Sequence, residues 1–180
     1  MAQFKAFAPG AEVNGETAMS MVAGMGIFAE MGRGILAEHG ISDPQAGKWY
    51  PQQRWLDAFK SISAKVGDRT LTSIGRQILE HAKWPPAVDS VEKALASIDV
   101  AYHMNHRGGE IGSDAYTKTG ARSARMVCRN PYPCTFDRGI IESAAARFKP
   151  ADCPTVQVKH DDTQPCRANG ADSCTYLVAW

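Results

Sequence analysis

The spacing of apolar residues changes part-way along this chain. Up to about residue 96 the apolar residues recur at steps of three and four, which is typical of helices that bury one face. From residue 97 onward they mostly alternate with polar residues, which is typical of half-buried strands. Helices followed by a run of strands predict an α+β domain, with the N-terminal helices packed on an antiparallel sheet, rather than a doubly wound sheet.

The first half is predicted to contain four helices, at residues 17–39, 51–66, 68–82 and 91–96. Gly40 and Gly67 follow the first and second of these segments, where glycine commonly ends a helix. Several glycines inside the first segment weaken it or allow another element to approach closely.

The second half is predicted to be a sheet interrupted by one helix. The helix covers 134–148, and the strands cover 97–109, 114–120, 121–130, 155–161 and 173–180. The last two strands form a hairpin, and the strand at 97–109 places His103 and His106 on opposite faces. Residues 1–180 are thus predicted to be one domain, mainly helical over 1–96, with the sheet, late helix and hairpin over 97–180.

Charge and hydropathy exclude several classes of partner. A formal net charge of +1 and a pI near 7.7 provide no broad positive field for nucleic acid or an anionic membrane. The N-terminus lacks the basic region, apolar run and cleavage site of a secretory signal. We therefore expect a cytoplasmic protein that binds neither nucleic acid nor membrane.

Two cysteines, Cys166 and Cys174, bracket a short bend that contains Gly170. A bend between two strands can bring both thiols to one point, and zinc binds about four thiolate, imidazole or carboxylate ligands. The sequence leaves the other ligands open, and the candidates are Cys134, Cys153, His160, Asp161 and Asp162. Two alternatives remain: the cysteines are small core residues, or Cys166 is a reactive thiol with His160 as its base.

The segments NPYPC, FDRGIIESAAARF and CRANGADSC, followed by TYLVAW, carry a family resemblance. Together they are similar to the 4-vinyl reductase-type small-molecule-binding domain of bacteriochlorophyll biosynthesis proteins and phenol-sensing regulators. The resemblance covers about residues 97–180. That α/β fold is shared with the small subunits of TRAPP tethering complexes and with haem nitric-oxide-binding domains.

The resemblance implies a structural zinc held by Cys134, Cys166 and Cys174. In the phenol sensors a carboxylate completes the set three residues before the second cysteine, but Thr163 occupies that position here. His160 or Asp162 would then replace the carboxylate, with Asp161 as a further choice. Haem is less favoured than zinc, since the Tyr-x-Ser-x-Arg motif of the nitric-oxide sensors and a Cys-x-x-Cys-His attachment site are both missing from the sequence.

The resemblance also implies a homodimer with a pocket for a hydrophobic small molecule between helices and sheet. The leading hypothesis is a sensory or carrier module that signals through a separate protein, without a catalytic residue of its own. Two alternatives are a tetrapyrrole-linked reductase or accessory factor, and a tether-like interaction subunit.

Overall fold

The computed structural model describes residues 3–180. The helices are α1 Gly15–Gly24, α2 Ala29–Glu38, α3 Gln52–Val66, α4 Asp68–Arg76, α5 Ile78–His81, α6 Val91–Asn105 and α7 Cys134–Arg147, with 3-10 turns at Gly26–Phe28 and Arg167–Asn169. The strands are β1 Glu12–Asn14, β2 Trp49–Pro51, β3 His106–Arg107, β4 Ser113–Gly120, β5 Ser123–Arg129, β6 Gln157–His160 and β7 Cys174–Ala179.

The main sheet is antiparallel and has the strand order β4-β5-β7-β6. Helices α6 and α7 pack on it, and their buried residues form one core cluster with the inward-facing side chains of the sheet, such as Met126, Tyr176 and Val178. Strands β6 and β7 pair antiparallel, with His160 opposite Tyr176, so the terminal hairpin is confirmed. The α+β class is confirmed as well.

The prediction of a strand at 97–109 is wrong. Helix α6 continues from Val91 to Asn105, and only His106 and Arg107 are extended. The buried positions are Ala94, Leu95, Ile98, Ala101 and Tyr102, which recur at steps of one, three and four. This helical pattern overlaps an apparent alternation in the sequence, and packing against α7 and β4 decides in favour of the helix.

The single helix predicted at 17–39 is broken into α1 and α2. Gly26 has a φ of 53°, in the left-handed region that glycine adopts without strain, and a 3-10 turn replaces the helix there. The close approach expected of the glycines occurs at Gly24, where an added Cβ would lie 2.3 Å from the Cα of Ile74 in α4. Glycine at this position therefore lets two helices touch backbone to backbone.

A second sheet, with the order β2-β1-β3, was not predicted. Its strands have two or three residues each, too few to show an alternation in the sequence. It packs beside a core cluster that contains Trp55 and Phe59, which are fully buried. No helix within residues 3–180 is long and apolar enough to cross a bilayer.

Candidate metal centre and ligand cavity

Four potential metal ligands converge at one end of the main sheet. Cys134 begins α7, His160 ends β6, Cys174 begins β7, and Cys166 precedes the 3-10 turn. One ligand atom from each residue lies within 4.8 Å of all the others. The sulfur–sulfur distances are 3.4 Å for Cys134–Cys166, 3.1 Å for Cys134–Cys174 and 3.8 Å for Cys166–Cys174. All five cysteines of the chain are free thiols.

The bend between β6 and β7 creates this convergence. Gly170 has a φ of 86° and ends the 3-10 turn, so the chain reverses direction between Cys166 and Cys174. The backbone N–H of Ala171 donates to the carbonyl of Cys166 at 3.2 Å, which closes the bend.

Asp162 contacts the cluster only through His160. Its carboxylate lies 2.8 Å from His160 Nδ1. This leaves Nε2, which is buried and has no hydrogen-bond partner within residues 3–180. A carboxylate on one ring nitrogen fixes the tautomer of the imidazole and directs the other nitrogen toward a metal.

The other candidate ligands lie outside the cluster. Asp161 accepts hydrogen bonds from the backbone and hydroxyl of Thr163, at 3.1 and 2.6 Å. Cys153 is buried and its thiol donates to the carbonyl of Thr155 at 3.2 Å.

A buried cation adjoins the thiols. The backbone N–H and Nε of Arg167 both donate to Cys174 Sγ at 3.4 Å. The hydrogen bond with Cys134, together with the charge and hydrogen bonds of Arg167, lowers the pKa of Cys174 to about 3. The same hydrogen bond and burial raise the pKa of Cys134, so the pair holds one thiolate and one thiol. Zinc binds thiolates, and the buried cation favours the thiolate form of Cys174.

The donor set fits a tetrahedral zinc ion. Sulfur atoms at the Zn–S distance of about 2.3 Å lie about 3.8 Å apart in a tetrahedron. The sulfur–sulfur distances, between 3.1 and 3.8 Å, are close to this separation. The orphaned Nε2 of His160 provides the fourth donor.

A second feature is an enclosed cavity of about 40 Å³ in the middle of the domain. It is lined by residues from α1, α5, α6, α7, β3 and β4, from the segment between α5 and α6, and from the segment before α7. They include Thr17, Trp84, Ile98, Ala101, Tyr102, His106, Tyr132 and Phe136. Most of the lining surface is apolar.

A buried polar network joins the cavity to the thiols. Asp137 in α7 and Asn130 both line the cavity and both accept hydrogen bonds from the Arg167 guanidinium. Asn130 also donates to Asp114, another cavity residue, at 3.0 Å. Burial raises the pKa of Asp137 to about 7 and also raises that of Asp114. For Arg167, burial acts to lower the pKa, but attraction to Asp137 and Cys174 outweighs it and the net shift is upward.

Solved structures with the same architecture are H-NOX proteins. An H-NOX protein from S. oneidensis in the Fe(II)NO ligation state is similar with a TM-score of 0.65 and 14% identity, over 92% of this chain and 97% of that one. A T. tengcongensis H-NOX is similar with a TM-score of 0.65 and 15% identity, over 91% and 94% of the two chains. This chain has the H-NOX fold.

At these identities the likeness establishes the fold alone. No protein-family model matches the sequence, and no curated protein matches it. The H-NOX neighbours agree with the fold shared by the 4-vinyl reductase-type domain, while membership in that family stays a prediction.

Haem, which the H-NOX fold implies, does not fit the residues at the centre of this domain. A large ligand needs a pocket in the range of about 300–1,000 Å³, and the cavity is about 40 Å³. Tyr132 and Phe136 pack together here, with ring centroids 5.1 Å apart. His106 has no nitrogen available for iron, because Nδ1 lies 2.8 Å from the carbonyl of Tyr102 and Nε2 lies 2.6 Å from the Tyr132 hydroxyl.

His103, which was predicted to share a strand with His106, lies on α6 and is half exposed, with Nδ1 2.8 Å from the carbonyl of Asp99. The two histidines are thus not on opposite faces of a strand, as predicted. They are one packed residue and one solvent-facing residue.

Sequence reasoning missed Arg167, Asn130 and Asp137. All three lie within the segments that carry the family resemblance, but an arginine inside a polar bend gives no local signal of burial. Arg167 is 1% exposed only because α7 and the end of β5 close over it.

Proposed function

We propose that this protein is a small-molecule-binding sensory or carrier domain with the H-NOX fold, in which a hydrophobic ligand takes the place of haem. The apolar cavity among α1, α5, α6 and α7 carries this proposal, and at about 40 Å³ it must enlarge to admit a ligand. Ligand sites are typically apolar spaces with a few polar groups placed among them. Here those groups include Thr17, Asn105 and Asp114, so the lining has this composition.

The proposed metal is a structural zinc on Cys134, His160, Cys166 and Cys174. Four protein ligands leave no open position for substrate or water, which is the pattern of structural rather than catalytic zinc sites. The ligands come from α7, β6, β7 and the bend, so one ion would tie the terminal hairpin to the late helix.

A homodimer is the proposed assembly. Ile27, Phe28 and Met31 are near one another in sequence and have exposed fractions of 93%, 42% and 41%. An exposed apolar patch commonly marks an interface. Light scattering should give the mass of two chains for the wild type and of one for Ile27→Lys. The dimer would signal by binding a separate protein.

The same exposed patch favours a second candidate function, a tether-like interaction subunit, which would dimerise without binding a ligand.

Ligand binding is tested with indole as an apolar probe. Occupation of the cavity at about one hundred times the dissociation constant should raise the unfolding free energy by about 2.7 kcal/mol. The cavity-filling variant Ala101→Leu should lose this stabilisation, because Ala101 lines the cavity on α6. Ala96→Leu is the matched control, since Ala96 is exposed on the same helix. Equal stabilisation of wild type and Ala101→Leu would contradict the proposal.

A further inference from the structure

Trp84 separates two spaces. On one side it lines the enclosed cavity of about 40 Å³. On the other it lines a surface pocket of about 300 Å³, together with Leu79, Pro85, Val88 and Phe148. Within residues 3–180 it is the one residue that lines both spaces. The cavity alone is far below the size range of about 300–1,000 Å³ that is usual for ligand sites. If the indole swung aside, the cavity would join the surface pocket, and the combined space would lie within that range.

The segment that carries Trp84 is an irregular loop with an anchor at each end. Residues 83–90 belong to no helix or strand. The side-chain amide of Asn105 holds one end: it accepts from the backbone N–H of Lys83 at 3.0 Å and donates to the carbonyl of Lys83 at 2.8 Å. Ser90, the N-cap of α6, holds the other end. Rotation between these points would break no helix or sheet ladder.

The backbone of this segment is strained in the closed position. Ala87 has a φ of 65°, a left-handed conformation that residues with a Cβ adopt at a cost. If opening brings Ala87 out of this conformation, the strain is released and the difference in free energy between the closed and open forms is smaller.

Two polar groups at the cavity lack partners. The indole Nε1 of Trp84 and the hydroxyl of Thr17 are buried and have no hydrogen-bond partner within residues 3–180. Thr17 is only 3% exposed, and its backbone N–H is already used by the N-cap Asn14. A buried donor without an acceptor is costly, and an acceptor on a ligand would remove that cost.

We propose that Trp84 is the gate of the ligand site, and that the ligand is an apolar molecule carrying a hydrogen-bond acceptor such as a carbonyl oxygen. It enters through the surface pocket, displaces the 83–88 segment and accepts from the Trp84 N–H. This inference rests on the proposed function and adds the route of entry and the chemistry of the ligand.

The test uses two neutral fluorescent probes. 6-Propionyl-2-(dimethylamino)naphthalene carries a carbonyl acceptor, and N-phenyl-1-naphthylamine does not. In stopped-flow mixing, Trp84→Ala should bind both probes about tenfold faster than the wild type, because association no longer waits for a conformational change. Trp84→Phe keeps a ring but lacks the N–H, so it should lose about three- to tenfold in affinity for the carbonyl probe alone.

Trp49→Phe is the matched control, since Trp49 is half-buried in β2 and lines neither space. Circular dichroism establishes that each variant is folded, and Trp84→Phe provides a second readout if Trp84→Ala is not. Equal association rates in the wild type and Trp84→Ala would overturn the proposal that Trp84 is a gate. The proposed ligand site would still be supported in that case if Ala101→Leu abolishes probe binding. Failure of Trp84→Ala to bind either probe would overturn both the gate and the proposed function.

Discussion

The thiol cluster and the aromatic centre of this domain treat their histidines in opposite ways. At the cluster, Asp162 occupies one nitrogen of His160 and the other is buried without a partner beside three sulfurs. At the centre, both nitrogens of His106 have partners and Tyr102 stacks on the ring at 4.1 Å. An unsatisfied ring nitrogen among soft ligands suits a metal, whereas a satisfied one is a packing element.

The difference shows that possible metal donors lie at the edge of this fold rather than at its centre. The centre of the domain, where the H-NOX fold implies haem, is filled by side chains. Four possible metal donors instead lie together at the terminal hairpin and the start of α7. Arg167 lies between the two regions, because it contacts Cys174 on one side and Asp137 on the other.

Removal of the metal ligands should have the largest effect. The double substitution of Cys166 and Cys174 by Ala removes half of the donor set and should abolish zinc binding. A structural zinc contributes on the order of 10 kcal/mol, so the variant should also unfold. Elemental analysis and far-UV circular dichroism measure the two outcomes. Cys153→Ala, which removes a buried thiol outside the cluster, should keep its zinc; a folded, metal-free double variant would contradict the structural role.

Loss of the buried cation should be the next largest effect. Arg167→Met leaves the buried Asp137 carboxylate unpaired and should cost about 3–5 kcal/mol in urea unfolding. The double variant Arg167→Met with Asp137→Asn removes both charges and should recover part of this loss. If the double variant is no more stable than Arg167→Met, the loss does not come from leaving the Asp137 carboxylate without its partner. Zinc content, measured in parallel, reports whether the effect extends to Cys174.

Acid should destabilise the protein through the buried His106. Burial lowers the pKa of His106 to about 4, from 6.5. Between these values the unfolded chain takes a proton that the folded one does not, so the stability this residue contributes above pH 6.5 falls with the pH. Relative to His106→Gln, the wild type should lose about 2–3 kcal/mol of unfolding free energy between pH 7 and 4.5.

The matched variant is needed because other buried groups act in the opposite direction. The raised pKa values of Asp114 and Asp137 make the folded protein take up protons earlier on acidification. His103, Tyr102 and Tyr132 also face His106. These effects and the acid release of zinc are common to the wild type and His106→Gln, so they cancel in the difference between the two unfolding free energies. Equal dependence of those free energies on pH would show that His106 is not buried in its neutral form.

The smallest effect concerns the carboxylate behind His160. Asp162→Ala should weaken zinc binding by about ten- to a hundredfold, because the imidazole loses its orienting partner. Competition with a chromophoric chelator gives the affinity. Asp161→Ala is the control, since Asp161 hydrogen-bonds Thr163 and not His160. A loss of zinc as complete as that of a cysteine variant would make Asp162 a ligand instead.

Local patterns determined much of the fold. The spacing of apolar residues predicts α3 and α7 closely, because each buries one continuous face. The single helix predicted at 68–82 is instead divided at Gln77 into α4 and α5. The bend at Gly170 and the hairpin follow from residues that are neighbours in sequence. The same locality brought Cys166, Cys174 and His160 into one predicted site.

Tertiary structure decided the features that depend on contacts between residues distant in sequence. Helix α6 extends to Asn105 because α7 and β4 cover it, and the sequence at 97–105 fits a strand equally well. The choice of His160 over Asp162 depends on which side chain the β6 register turns toward the thiols. The small central cavity, the position of Trp84 between two spaces and the buried Arg167 all arise where several elements meet. The free energy of such contacts depends on packing among remote residues, which no local periodicity encodes.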